Sequence, residues 1–219
     1  MLRLRQLLLI GLLAGLAAGV IVTAVQAPTV RPLIRAAEAL EPDHAQTGHA
    51  HSTLERGAHT LLANTLAGIG FGLLLAAGYN LSNRAGLRAG LAWGLAGFVA
   101  FYLAPALGVP PSLPGSGLAE LGARQAWWLG TALASAGGLA LLFLLRDVRL
   151  RVGGAVLLLL PHLIGAPRPS VAVAGPPAEL ARAFMLWSTA CAAVFWLVLG
   201  AVSGALYTRF ARRAVEPRG

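Results

Sequence analysis

The feature that most limits the fold of this chain is a series of six long apolar runs separated by polar segments. Five of the runs have about 20 residues or more, and a helix of about 20 residues spans the hydrocarbon core of a bilayer. Because lipid offers the backbone no hydrogen-bond partners, each run must be helical. We therefore predict an all-α, polytopic transmembrane helix bundle. It forms one membrane domain, residues 1–219, with six spans at approximately 7–27, 60–81, 87–107, 126–145, 152–166 and 183–207.

Composition excludes two other classes of protein. Apolar residues make up 57% of the chain, charged residues make up 11%, and the mean hydropathy is +0.72. A water-soluble fold of 219 residues cannot bury this much apolar surface. The net charge of +9 comes from 17 arginines without any lysine. These arginines lie in small clusters between the apolar runs. They therefore indicate membrane topology and not a nucleic-acid-binding patch.

The arginine clusters orient the predicted bundle, because short cytoplasmic loops are enriched in Lys and Arg. If both termini are cytoplasmic, 11 of the 17 arginines lie inside: Arg3, Arg5, Arg84, Arg88, Arg146, Arg149, Arg151, Arg209, Arg212, Arg213 and Arg218. The same orientation places six of the eight acids outside: Glu38, Glu41, Asp43, Glu55, Glu120 and Glu179. The longest polar segment, residues 28–59, then faces outward as a loop.

The first and fifth spans each have an alternative. Val25-Gln26-Ala27 is compatible with a signal-peptide cleavage site, but the preceding apolar stretch is longer than usual, so we predict a retained helix. The fifth run has only 15 residues and contains Pro161, which is also compatible with a broken or re-entrant helix. We predict that it crosses, because otherwise the arginines that follow span six would lie outside.

Small residues at four-residue spacing predict where membrane helices approach closely. Ordinary packing within the chain is the simplest interpretation, and dimerisation to a homo-oligomer is the alternative. The glycines concerned are Gly11, Gly15 and Gly19; Gly86, Gly90 and Gly94; and Gly200 and Gly204. Trp127 and Trp128 lie at the outer start of span four, where indole rings are typical anchors at the headgroup boundary.

The outward loop contains four of the five histidines within 16 residues, together with acidic residues. Imidazole and carboxylate suit divalent first-row metals such as Co²⁺, Ni²⁺ and Zn²⁺, and no thiolate accompanies them. A flexible metal-capture site is one interpretation, and a solvated loop without a fixed ligand set is the other. The candidate ligands are Glu38, Glu41, His44, His49, His51 and His59.

A sparse polar path is predicted within the helices. His162 lies about 11 residues, or roughly 16 Å, beyond Arg151 in span five, and ionisable residues at such depth are functional candidates. Asn64 lies about one turn into span two, below His59. These three residues would pass an ion inward, and Pro161 would free backbone carbonyls as further ligands. The alternative for His162 is an imidazole bonded to a neighbour in ordinary helix packing.

Sequence motifs for catalysis are missing. The chain has no GxxxxGK[ST], HExxH or GxSxG motif. We therefore expect no enzyme and no tightly bound cofactor, and any transport must draw its energy from a gradient or a partner.

Several strings of the sequence, in this order, resemble the CbtA family, the proposed membrane subunit of a bacterial cobalt transporter. They extend over most of the chain after the outer loop: GLAWGLAGF (90–98), LAPALGVPP (103–111), LPG (113–115), ARQAWW (123–128), PHLIGAP (161–167) and PAEL (177–180). The resemblance implies Co²⁺ uptake linked to cobalamin synthesis across the bacterial cytoplasmic membrane. It also implies a small single-span partner with a histidine-rich tail, CbtB, and the family is described with five spans instead of six.

Within this resemblance, further polar residues acquire roles. Arg124, Gln125 and Glu179 fall in the outer half of the predicted bundle and would form a vestibule beside the histidine loop, with Arg124 paired to Glu179 or Glu120. Interfacial anchoring is the alternative for Arg124. Two functional classes stay open at this point: a permease that conducts Co²⁺, and a non-conducting membrane scaffold or assembly partner. Ligand type alone does not distinguish Co²⁺ from Ni²⁺ or Zn²⁺.

Overall fold

The computed structural model describes residues 2–40, 53–82, 84–169 and 175–215, and within them the secondary structure is helical, without strands. The third helical rod is composite, because a π-helical turn, Val99–Leu103, joins two α-helices. The helices are α1 (Leu4–Glu38), α2 (Thr53–Ser82), α3 (Leu87–Phe98), α4 (Ala104–Gly108), α5 (Leu121–Leu144), α6 (Val148–Ile164) and α7 (Ala178–Val215). The all-α class is therefore confirmed, and the helices are those of a polytopic bundle.

Five helical segments in the described part of the chain are long and apolar enough to cross a membrane: Leu4–Glu38, Leu54–Ser82, Leu87–Gly108, Leu121–Leu144 and Ala178–Arg212. The fifth predicted span forms α6, which has 17 residues and is not among them. The charged residues at its start leave an apolar part of only about 20 Å, shorter than a hydrocarbon core of about 30 Å. The count of five agrees with the alternative that the sequence left open.

The outward segment 28–59 differs from the predicted loop at both of its ends. Helix α1 continues through Pro28 and Pro32 to Glu38, and α2 begins at Thr53. A proline in a helix removes one hydrogen bond, and packing must offset this loss. Val30 and Ala37, which flank Pro32, are buried and supply such packing. Residues 41–52 lie outside the described residues.

The chain divides into two compact units. Unit 1 comprises Met1–Gln26, Ala50–Leu95 and Cys191–Gly219, and unit 2 comprises Ala27–His49 and Ala96–Ala190. Unit 1 is built from most of α1, from α2, from the first part of α3 and from the last part of α7. The π-helical turn, α4, α5 and α6 lie in unit 2, with the end of α1 and the start of α7.

Two seams of glycine hold unit 1 together, and both were predicted from four-residue spacing. Along α1, a Cβ at Gly11 or Gly19 would lie 2.5–2.7 Å from atoms of Leu73 or Thr65 in α2. The second seam joins α3 to α7, where a Cβ on Gly204 would lie 2.6 Å from the Gly86 carbonyl oxygen. Backbones this close leave no room for a side chain, and the close approach maximises van der Waals contact. The prediction of packing within the chain is confirmed.

A buried aromatic and polar network lies at one end of unit 1. The Tyr79 side chain is fully buried between Trp93 and Tyr207, both in edge-to-face contact. Its hydroxyl lies 2.9 Å from the Ser203 hydroxyl on α7. Next to it, Asn80 Oδ1 accepts hydrogen bonds of 2.9 Å from the Tyr207 hydroxyl and from the Leu2 amide. The network thereby ties the start of α1 to α2 and α7.

In unit 2, α5 and α6 form an antiparallel hairpin. Asp147 caps α6 by accepting the Arg149 and Leu150 amides, and the chain reverses there. Gly138 on α5 then packs against Gly154 on α6, where a Cβ on either would lie 2.7 Å from the other's carbonyl oxygen. Further along, α6 brings His162 to the level of Trp127. No four-residue glycine repeat marks this contact, so the sequence did not predict it.

Candidate functional site

The predicted metal ligands fall into two groups. Glu41, His44, His49 and His51 lie outside the described residues. Glu38 ends α1, and His59 is exposed in the second turn of α2. In the described part of the chain, no group of three or more His, Cys, Asp or Glu side chains has a metal-binding arrangement. The capture site at the outer segment therefore stays a prediction.

Asn64 joins α1 to α2 within unit 1. Its Nδ2 donates hydrogen bonds to Thr23 Oγ1 at 2.9 Å and to Gln26 Oε1 at 2.8 Å, and Thr23 donates in turn to the Gly19 carbonyl at 2.7 Å. These bonds use the amide nitrogen and leave Oδ1 as the atom that can bind a cation. Asn64 thus has a packing role that its sequence position did not reveal. His59 and Asn64 belong to unit 1, and His162 belongs to unit 2.

His162 is half-buried in the last turn of α6 and lies against the indole ring of Trp127. The two ring centroids are 5.8 Å apart with an interplanar angle of 73°, an edge-to-face contact. The Trp127 indole N–H donates to the Pro105 carbonyl at 3.2 Å. The Trp127 indole thereby connects α4, through its hydrogen bond, to His162 on α6, through its ring contact.

Close backbone approach completes this arrangement, which we call the Trp127 cluster: Pro105, Gly108, Trp127, His162 and Ala166. A Cβ on Gly108 would collide with the Trp127 ring and would lie 2.8 Å from the Ala166 methyl group. Only a residue without a side chain lets the indole lie on the end of α4. Three of the strings that carry the family resemblance, 103–111, 123–128 and 161–167, therefore meet at this cluster.

The π-helical turn before the cluster follows from Pro105. Proline has no N–H, and its ring would collide with the carbonyl four residues earlier in a regular α-helix. The helix widens instead, and the Ala104 amide donates to the Val99 carbonyl five residues back. Such π-helical turns occur frequently at functional sites. This turn places the Pro105 carbonyl where the Trp127 indole reaches it.

The predicted vestibule residues differ in their surroundings. Glu120 caps α5, since its carboxylate accepts the Gly122 and Ala123 amides at 3.0 Å each. These two backbone hydrogen bonds hold the pKa of the Glu120 carboxyl below its usual value. Arg124 is half-buried, and its Nε has no hydrogen-bond partner among the residues that the structure describes. Gln125 and Glu179 are exposed.

Sequence reasoning missed three side chains of unit 2. It treated Trp127 as an interfacial anchor, although its ring also contacts His162. It also passed over Thr131 and Ser135, which are 1% and 0% exposed on the buried face of α5. The four-residue steps from Trp127 to Thr131 and Ser135 were a signal in the sequence. Two hydroxyl residues alone were too common a pattern to use.

Comparison with known proteins identifies the family. The profile of a family described as "Probable cobalt transporter subunit (CbtA)" matches residues 4–208, which contain α1 to α6 and most of α7. No curated protein and no solved structure matches the chain significantly. A transporter subunit with five helices able to cross a bilayer is a multi-pass membrane protein, and the word subunit implies a partner in a complex. The chain belongs to the CbtA family of cobalt transporter subunits.

Proposed function

We propose that the chain is the membrane subunit of a Co²⁺ uptake transporter in the bacterial cytoplasmic membrane. In this proposal α6, which runs back along α5 to the level of Trp127, is a short sixth span beside the five longer ones, so that both termini lie inside. The outer segment, residues 28–59, captures the metal with its histidines and acids, and His162 binds the ion on its way between the helices. A small single-span histidine-rich subunit resembling CbtB is its partner. The family is one of transporter subunits and not of enzymes, so the proposal includes no catalytic step.

The observation that carries the proposal is the Trp127 cluster. It holds a half-buried imidazole in an apolar helix. An ionisable side chain in such a place lowers stability, so its presence indicates a function. Imidazole is a common ligand of Co²⁺. The edge-to-face contact with Trp127 favours one orientation of the imidazole ring, which lowers the entropy cost of binding an ion there. The choice of cobalt over Ni²⁺ or Zn²⁺ rests on the family.

A variant of His162 tests the conducting role. In cells without other cobalt uptake systems, we expect His162→Ala to lower the initial rate of Co²⁺ accumulation about tenfold or more. Loss of a residue that only hydrogen-bonds a metal ligand already lowers metal affinity or activity by about tenfold or more, and loss of a ligand itself should have at least this effect. Leu163→Ala is the matched control, since Leu163 is the next residue on α6 and is 80% exposed. Both variants should reach wild-type abundance in the membrane.

Three outcomes of this experiment distinguish a permease from a non-conducting scaffold. Reduced uptake in His162→Ala alone supports the permease. Wild-type uptake in that variant contradicts a role for His162. If the wild-type chain, with or without a histidine-rich partner, accumulates no more Co²⁺ than cells carrying an empty vector, the chain is a non-conducting scaffold or assembly partner instead.

The capture role of the outer segment has its own test. We expect replacement of His44, His49, His51 and His59 by Ala to lower uptake at limiting Co²⁺ and to have little effect at saturating Co²⁺, because the segment raises the local metal concentration. The measurement is the uptake rate across a range of Co²⁺ concentrations. A concentration dependence identical to that of the wild type would show that the histidines do not capture the ion.

A further inference from the structure

Two hydroxyl groups of α5 are buried without partners. Thr131 Oγ1 and Ser135 Oγ accept or donate no hydrogen bond within the described residues, and both side chains are at least 99% buried. A buried hydroxyl without a partner costs about 1–3 kcal/mol. Because buried polar groups in folded proteins are nearly always hydrogen-bonded, two such hydroxyls on one helix face point to a partner other than the described side chains and backbone.

The usual internal solution is available to these residues and is not used. A Ser or Thr in a helix can donate to the carbonyl four residues earlier. Other hydroxyls of the described residues do so at 2.6–3.1 Å, among them those of Thr23, Thr60, Thr189, Ser203 and Thr208. Thr131 and Ser135 do not form this bond, so their hydroxyls are available to bind a ligand.

The position of the two hydroxyls in unit 2 is defined by their neighbours on α5. Trp127 contacts His162 on α6, and Trp128 contacts Phe101 of the π-helical turn, with ring centroids 6.4 Å apart. At about 100° per residue, Thr131 and Ser135 lie about 40° and 80° around the helix from Trp127, and Trp128 lies at about 100°. Both hydroxyl residues therefore face between α6 and the π-helical turn.

Along the helix axis the same residues continue inward from the Trp127 cluster. Thr131 is one turn and Ser135 two turns beyond Trp127, in steps of about 5–6 Å. A path that begins at His162 thus meets two hydroxyl oxygens in succession. The next residue on this face is Gly138, where α5 and α6 are in backbone contact.

We propose that Thr131 and Ser135 form a binding position for a hydrated divalent cation, held through the water ligands of the cation. Water bound to a metal ion is a strong hydrogen-bond donor, and a neutral hydroxyl oxygen accepts from it without fixing the ion permanently. One water ligand with hydrogen bonds of about 2.8 Å to each oxygen spans the separation of an i,i+4 pair. This inference rests on the proposed function, because it extends the path from His162.

The test uses the full chain in cells and as purified protein, with Co²⁺ as the ion. Thr131→Val and Ser135→Ala remove one hydroxyl each and preserve most of the shape. We expect Co²⁺ uptake to fall about fivefold for each hydroxyl removed, the effect of one net hydrogen bond. The thermal unfolding temperature should stay the same or rise, because an unpaired buried hydroxyl is lost. Thr208→Val, which removes a hydroxyl bonded to the Gly204 carbonyl, is the control and should transport normally.

Any other outcome contradicts the inference and shows which part of the proposed path is wrong. If uptake and the unfolding temperature fall together, the hydroxyls bind a structural water or a neighbouring helix. If Thr131→Val and Ser135→Ala transport normally but His162→Ala does not, the path bypasses them and the proposed function stands. If all three variants transport at the wild-type rate, the path through His162 fails as well.

Discussion

Gly154→Leu is expected to destabilise the protein strongly and to abolish Co²⁺ uptake, whereas Gly153→Leu one residue earlier is expected to be tolerated. A Cβ on Gly154 would lie 2.7 Å from the Gly138 carbonyl oxygen and 3.0 Å from the Leu141 Cβ, and a leucine adds three more carbons. Helices α5 and α6 would have to separate. We expect a loss of about 3 kcal/mol or more in the free energy of unfolding, at the upper end of overpacking costs.

The control works because the two glycines differ only in what they face. A Cβ on Gly153 has no neighbour within 4 Å, so leucine there adds helix propensity without a collision. The measurements are membrane abundance, thermal unfolding of the purified chain and Co²⁺ uptake. Since α5 carries Trp127 and α6 carries His162, separation of the helices also dismantles the Trp127 cluster. Equal stability of the two variants would contradict the packing between α5 and α6.

The second large effect is expected at Tyr79 in unit 1. The Tyr79 ring is fully buried and has edge-to-face contacts with Trp93 at 6.0 Å and Tyr207 at 5.6 Å. Tyr79→Ala removes these contacts and leaves a cavity, which costs about 3–5 kcal/mol for a large aromatic side chain. In lipid this cost reflects lost packing more than exposure to water.

Tyr79→Phe separates the ring from the hydroxyl. It should cost only about 1 kcal/mol, because the Ser203 hydroxyl keeps its bond of 2.6 Å to the Leu199 carbonyl. Unfolding of the purified chain by heat or by sodium dodecyl sulfate measures both variants. A phenylalanine variant as unstable as the alanine variant would show that the hydroxyl, and not ring packing, supports this end of unit 1.

Local rules account for the parts of the fold that the sequence predicted well. Apolar length identified the five helices that can cross a membrane, and glycine spacing identified both seams of unit 1. Each of these features depends on residues within one helix or on a repeat of four residues. For the same reason the sequence was ambiguous for α6, whose apolar part is short for a crossing.

Features that depend on contacts with residues distant in the chain were harder to predict from the sequence. The helical end of α1 depends on the burial of Val30 and Ala37, which no local pattern announces and which two prolines oppose. Likewise, the π-helical turn lies directly before Pro105. Whether a helix continues through a proline depends on which groups hydrogen-bond the carbonyls around it, and here the distant Trp127 indole bonds the Pro105 carbonyl.

The candidate site shows the same division. The sequence by itself determined that the chain is a membrane protein, that His162 is an ionisable residue in an apolar helix, and that its strings resemble one transporter family. Only the tertiary structure decided that Trp127 lies against His162 and that the hydroxyls of Thr131 and Ser135 have no partner among the described residues. The physical reason is range: hydropathy and helical spacing act within one helix, whereas orientation and hydrogen bonding of a side chain depend on which helices pack around it.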